Sequence, residues 1–250
     1  YVAPTFIDLQ VNGFGGQDFT DASLTVEHVE HISLAMDDQG CGGYLPTVTS
    51  QAFEVLAHSL RTIASGCERN TEIARRVVGI HVEGPYICAE EGPRGAHPVE
   101  HCRPPDWDEF QRLQEAAGGR IRILTLSPDY EGSAGFVRKV ADTGVVVAIG
   151  HTSATTEQIQ AAFDAGARLS THLGNGAHSQ IKRHPNYIWD QLAEDRLWAS
   201  LIADGHHLPQ SVVKSFLRAK TPQRCLLVSD ITGMAGLPPG EYPNTSLGDI

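Results

Sequence analysis

No apolar run in this sequence approaches the roughly 18 residues that a membrane-spanning helix needs, and no secretory signal pattern stands at its start. Cysteine is sparse. Cys41, Cys67, Cys88, Cys102 and Cys225 are odd in number, scattered and without a CxxC pair, which speaks against a disulfide framework and a thiolate metal site. The expectation is a reducing, cytoplasmic setting. Positive charge is short as well. Against 30 Asp and Glu there are 19 Lys and Arg, a formal net charge of -11, so nucleic acid and anionic membranes would be repelled at long range. A local basic pocket for a small anion stays compatible with that balance. Low-complexity tracts, solenoid repeats and long charge runs are missing too.

What is present is an ordinary globular composition, 41% hydrophobic and 20% charged, over 250 residues, a length that one barrel domain can fill. Short apolar segments recur at Thr5–Val11, Gly43–Val48, Val77–Val82, Ile121–Leu126, Val145–Ile149, Arg168–His172, Leu197–Ala203 and Cys225–Val228. Between them, helical spacing appears at Thr25–Gln39, Gln51–Ser65, Trp107–Ala117, Gly135–Asp142, Thr156–Ala165 and Pro209–Ala219. Continuous apolar strands alternating with amphipathic helices predict a parallel sheet, and this number of units predicts an α/β (β/α)8 barrel. A doubly wound sheet is the alternative. The polar residues favour the barrel, because Asp8, Gln10, Glu83, His151, His172, Asp204 and Asp230 fall at or just after strand ends. That is the face on which barrel active sites are built, whereas a doubly wound sheet gathers them at one switch point.

The stretch from Val78 to Pro98 presents Glu83 just before Gly84-Pro85, a pair that stops a strand and exposes what precedes it. His151 and His172 close two later strands. A carboxylate and two imidazoles form a recurrent catalytic zinc set with one position open for water. Asp230 ends the last strand, and the glycine-rich residues after it give it no helix to cap, so it is a candidate proton carrier. His28 and His31 have no carboxylate partner and are expected on the surface. Gly13-Phe14-Gly15-Gly16 lacks dinucleotide or P-loop spacing and is expected to be a tight βα loop.

In order along the chain stand FIDLQVNGFGG (Phe6–Gly16), HVEGPYI (His81–Ile87), GAHP (Gly95–Pro98), GHTSAT (Gly150–Thr155), THLGN (Thr171–Asn175), ADGHH (Ala203–His207) and LVSDITGMAG (Leu227–Gly236). This series resembles the N-acetylglucosamine-6-phosphate deacetylases of the amidohydrolase superfamily. The resemblance implies a metal-dependent hydrolase that deacetylates N-acetylglucosamine 6-phosphate, with Glu83, His151 and His172 on the metal and Asp230 as the acid/base. It implies a sugar site at Ala96, His97, Asn175, Gly176 and His207. Arg183 would reach the phosphate of a neighbouring subunit's substrate, hence a homodimer. Many amidohydrolases place His-x-His on the first strand to hold a second metal. Here the positions read Gln10-Val11-Asn12, which implies one divalent ion, zinc by donor type.

Residues 1–250 are then one barrel domain, incomplete at both ends relative to the family, with the family's flanking β-sandwich largely absent. Two departures bear on substrate: Gly176-Ala177 replaces the family's Ala-Met, and Lys182-Arg183-His184-Pro185-Asn186 replaces Gly-Arg-x-Pro-Gly. The alternatives are a deacetylase of an unphosphorylated N-acyl amino sugar or other N-acyl amine, and a non-catalytic sugar-binding relative.

Overall fold

The computed structural model describes residues 2–242. Within them, strands β1 (Phe6–Val11), β2 (Cys41–Thr49), β3 (Ile80–Glu83), β4 (Ile121–Leu126), β5 (Val146–Ile149), β6 (Leu169–Ser170), β7 (Trp198–Leu201) and β8 (Cys225–Leu227) form one 8-stranded sheet in sequence order. Each strand pairs in parallel with the next. Between the last strand and the first stands a parallel bridge, Val11 to Ile231. Asp230 N donates to Gln10 O at 3.0 Å and Asn12 N to Ile231 O at 2.8 Å beside it. The sheet is thus a nearly closed (β/α)8 barrel, and the doubly wound alternative falls.

The covering helices are α1 (Val26–Asp38), α2 (Phe53–Arg69), α3 (Thr71–Arg76), α4 (Trp107–Ala116), α5 (Ser133–Asp142), α6 (Thr156–Ala165), α7 (Tyr187–Ala193) and α8 (Gln210–Lys220). Their starts follow local chemistry. Thr155 opens α6 by accepting the Gln158 N–H at 3.3 Å while its own N–H donates to Gln158 Oε1 at 2.8 Å, a reciprocal cap. Thr25 and His28 do the same at α1, which gives the expected surface histidine a capping role. The longer helices turn apolar stripes onto the sheet, and Ile32, Leu60, Val82, Leu124 and Val147 lie in the resulting core.

The barrel interior is layered. Leu9, Leu45, Ile123, Ala148, Leu169 and Leu226 fill the base. Two residues further along three of these strands, on the same face, come Thr47, Thr125 and Thr171. His81 joins this polar layer. Its Nδ1–H donates to the Leu9 carbonyl at 3.1 Å, so Nε2 accepts from Thr125 Oγ1 at 2.7 Å, and Thr125 in turn accepts from Thr171 at 2.7 Å. Burial pushes this imidazole down to about 4, so it is neutral. The ionisable residues of the mouth stand on that layer.

Three local expectations are corrected. Asp8 lies within β1, not at the mouth, and accepts from Ser229 N at 3.1 Å and Gln10 N at 3.0 Å at the seam. The segment 168–172 is strand only at Leu169–Ser170, because His172 turns to φ 28°. Gly13–Phe14 pairs antiparallel with Gln17–Asp18, so the first loop is a small hairpin. It is fastened to the segment after β8 by Gly15 N to Ala235 O at 2.8 Å and Gly16 N to Gly233 O at 2.6 Å.

Candidate metal centre and substrate pocket

Three polar side chains at the mouth leave their strands with unusual backbones. His151 (φ 49°), His172 (φ 28°) and Asp230 (φ 54°) all occupy the left-handed region, which L-residues other than Gly, Asn and Asp seldom adopt. For the two imidazoles the geometry costs free energy and persists because the surroundings over-determine it. Glu83 reaches the same place from the end of β3, stopped by Gly84 at φ 83°.

There the donor atoms converge. Glu83 Oε1 lies 2.9 Å from His172 Nε2 and 3.1 Å from His151 Nε2, and the two Nε2 atoms are 3.0 Å apart. All three residues are buried. His151 Nδ1 lies 2.8 Å from the Pro93 carbonyl, which can only accept, so the proton is on Nδ1 and the Nε2 lone pair points at Glu83. His172 Nδ1 is buried without a partner. Burial opposes charge on His172, but the hydrogen bond and charge of Glu83 outweigh it and push this imidazole up to about 9. Burial likewise opposes charge on Glu83, and the two imidazoles beside it overcome that and hold it well below the usual carboxylate range. A lone pair facing an anion at 3.1 Å calls for a positive centre between them. The buried Glu/His/His cluster is thus able to bind a metal ion.

His97 stands beside this set. Glu83, His97 and His151 bring ligand-type atoms within 4.8 Å of one another, so geometry alone admits His97 as a third donor. Its proton placement argues otherwise. The Ser50 N–H donates to His97 Nδ1 at 3.3 Å, with Ser50 Oγ 2.9 Å from the same atom. Burial first, and then neighbouring His151, push this imidazole down to about 3, so it is neutral with its proton on Nε2. That N–H faces Glu83 Oε2 at 3.9 Å and is a donor, not a lone pair for a metal. His172 Nε2 stands at the same point, 2.9 Å from Glu83 Oε1 and 3.0 Å from His151 Nε2, so both imidazoles border the Glu83–His151 pair.

The amides of the first strand's end serve the carboxylates. Gln10 Nε2 donates to Glu83 Oε1 at 3.0 Å, and Asn12 Nδ2 to Asp230 Oδ1 at 2.7 Å. Burial and the charge of Glu83 raise Asp230 to about 6, against the pull of His172 and Asn12. A cavity of about 890 Å³ opens onto Glu83, His151 and His172, and its walls include Ala96, His97, Asn175, Gly176, His207 and Asp230. Asp204 orients His207: Oδ2 is 2.8 Å from Nδ1, and Oδ1 accepts the His207 N–H at 2.9 Å. Arg183 is exposed and is not among the cavity's walls, and no Lys or Arg lines it among the described residues. Pro93 and Ser50, which set the two proton positions, carried no sequence signal.

A nearly closed (β/α)8 barrel with carboxylate, imidazole and aspartate groups at the C-terminal mouth defines an amidohydrolase-type protein. No family model matches the chain. It is 32% identical over 241 residues to an N-acetylgalactosamine-6-phosphate deacetylase of Escherichia coli O157:H7, covering 96% of this chain and 62% of that protein. It is 30% identical over 242 residues to an N-acetylglucosamine-6-phosphate deacetylase of Lysinibacillus sphaericus, covering 97% and 61%. A Mycobacterium smegmatis N-acetyl-D-glucosamine-6-phosphate deacetylase variant, solved with N-acetyl-D-glucosamine-6-phosphate, superposes with a TM-score of 0.87 at 28% identity, covering 96% and 60%. Over nearly its whole length the chain is thus similar to amino-sugar-6-phosphate deacetylases, and it spans about three fifths of these relatives' length.

Proposed function

We propose that residues 1–250 form one barrel domain of a hydrolase that deacetylates N-acetylglucosamine 6-phosphate to glucosamine 6-phosphate and acetate. One observation carries this: Glu83 Oε1, His151 Nε2 and His172 Nε2 lie 2.9–3.1 Å apart, and His151 has its proton on the far nitrogen. These three residues would hold one divalent ion, zinc by the preference of imidazole and carboxylate donors. A single ion is supported by Gln10 and Asn12, whose amides are already turned to Glu83 and Asp230.

Bound there, the ion would supply a water acidified towards a pKa of about 7 and a Lewis acid for the amide carbonyl. Asp230 takes the proton of the attacking water and returns it to the departing amine. His97, its Nε2–H fixed by Ser50, donates to the carbonyl oxygen as charge develops there, while His207, its Nδ1–H held by Asp204, turns an accepting Nε2 to the sugar site. Ala96, Asn175 and Gly176 line the sugar site. Arg183 lies outside the cavity of its own chain, which fits delivery to the phosphate by a second subunit of a homodimer. The five free cysteines, and the finding that no helix among the described residues is long and apolar enough to cross a membrane, fit the cytoplasm.

A cavity walled by Asp18, Asp21, Glu83 and Asp230 without Lys or Arg favours a second reading, an unphosphorylated N-acyl amino sugar. The test measures bound metal together with amine release from N-acetylglucosamine and N-acetylgalactosamine, each with and without the 6-phosphate. One equivalent of zinc and release from N-acetylglucosamine 6-phosphate are expected. Release only from the unphosphorylated sugars would establish the second reading, release only from N-acetylgalactosamine 6-phosphate would move the substrate to the other epimer, and no metal with no release would overturn the enzyme.

A further inference from the structure

Outside the cavity, one polar network has no part in the chemistry above. Glu90, on the loop after β3, uses both carboxylate oxygens: Oε1 accepts from the Ser153 hydroxyl at 3.1 Å, and Oε2 lies 3.2 Å from His178 Nε2. The bond directions are settled by Tyr187. Its hydroxyl accepts the His178 backbone N–H at 2.9 Å, so its own proton goes to His178 Nδ1 at 3.0 Å. With Nδ1 accepting, the neutral ring keeps its proton on Nε2 and donates it to Glu90. Ser153 Oγ also lies 3.0 Å from Asp129 Oδ2, so one hydroxyl proton stands between two carboxylates.

Glu90 thereby ties the loops after β3, β5 and β6, and the same loops enclose His151. The loop after β3 supplies the Pro93 carbonyl that takes its Nδ1–H at 2.8 Å, and the Cys88 N–H that donates to its carbonyl at 3.0 Å. Two glycines flank the ring. A Cβ at Gly176 would stand 2.7 Å from His151 Nδ1, and one at Gly95 would stand 3.2 Å from Cε1. At the outer end the two loops touch through backbone, since a Cβ at Gly92 would meet His178 Cα at 2.9 Å. The room left for the imidazole is therefore set by the separation of the loops after β3 and β6. Nothing in the ring's own rotamer would correct a shift there.

We propose that Glu90 is a positioning residue for His151: by joining Ser153 and His178 it fixes the loop spacing that holds this imidazole, and so sets the affinity of the site for its metal. The inference rests on the assignment of Glu83, His151 and His172 as ligands. An exposed carboxylate–imidazole pair contributes little to global stability, so the effect is expected in metal affinity, where direct hydrogen-bond partners of ligands count for about 10–100-fold and Glu90 acts one residue further out.

The test is zinc affinity by chelator competition for the wild type, Glu90→Ala, Glu90→Gln and Tyr187→Phe, with thermal melting of the metal-free proteins alongside. Glu90→Ala is expected to weaken zinc binding by about tenfold or more at an unchanged melting temperature. Glu90→Gln is expected to restore it, because its carbonyl can accept from His178 while its amide donates to Ser153. Tyr187→Phe, which frees the His178 ring, is expected to weaken binding in the same direction. Wild-type affinity in a folded Glu90→Ala protein overturns the proposal, as does equal loss in the Ala and Gln variants. If Glu90→Ala does not fold, Tyr187→Phe decides, and unchanged affinity there overturns it. A wild type that binds no zinc overturns the ligand assignment itself, a result distinct from all variants binding alike.

Discussion

Burial and the negative charge of Glu83 push the Asp230 carboxyl up to about 6, and the Asn12 amide at 2.7 Å pulls it back. A general base must be ionised, so activity should fall below that value, and Asn12→Ala should move the acid limb of kcat/KM to higher pH by removing the donor to the ionised form. A limb that stays in place would show that Asn12 does not tune Asp230. Asp230→Asn keeps the cavity's shape but cannot carry a proton; metal content should be retained while turnover falls roughly 10²–10⁴-fold, which metal analysis and a steady-state assay check together. These groups were legible in the sequence because an ionisable residue just past an apolar strand lies at the barrel mouth. Their proton positions were not. His151 is set by a carbonyl 58 residues away and His97 by a backbone N–H 47 residues away, and backbone groups leave no trace in residue type. The carboxylate of Asp8 misled for the same reason: only the fold shows that it serves Ser229 at the seam.

Among the elements, the junction between α8 and β8 carries strain. Thr221 adopts φ 64°, ψ 152°, a region that suits glycine, on an exposed turn. Thr221→Gly should relieve about 1–3 kcal/mol of strain, offset by about 0.5–1 kcal/mol of added chain entropy. A net gain of roughly 1 kcal/mol raises the melting temperature by about 2–4 °C at this size, and a calorimetric scan showing no rise would mean that the turn is relaxed. The longer helices matched their sequence patterns, and α6 coincided at Thr156–Ala165 because a capping threonine and a following Gly166 mark both ends. The short ones did not. α3 (Thr71–Arg76) and α7 (Tyr187–Ala193) have 6 and 7 residues, too few for a periodic apolar stripe, and each depends on an asparagine cap, Asn70 or Asn186. β6 was overdrawn because Thr171 and His172 follow it directly in sequence while the backbone turns into the mouth at His172.

At the scale of the barrel, the described residues fasten the mouth and place no helix over the last strand. The seam between β8 and β1 holds through Val11–Ile231, the Asn12 and Asp230 backbone bonds and the hairpin after β1, all at the end that carries the site. Each of the other strands is followed by a helix within the described residues, whereas none follows β8 there. Leu226 points into the barrel base, so Leu227 points out, and it is 67% exposed; Phe6, on the neighbouring strand, is 77% exposed. Exposed apolar side chains of this size are of the kind that drives association. Neither contributes a buried contact that its loss would empty, so Phe6→Ser with Leu227→Ser should leave the melting temperature of this 250-residue chain within about 1–2 °C of its parent. The same pair of changes should lower binding of a hydrophobic dye and reduce concentration-dependent scattering. Unchanged dye binding and scattering would show that the flank is covered by residues beyond those described, and a sharp fall in melting temperature would show that the two side chains pack on such a cover.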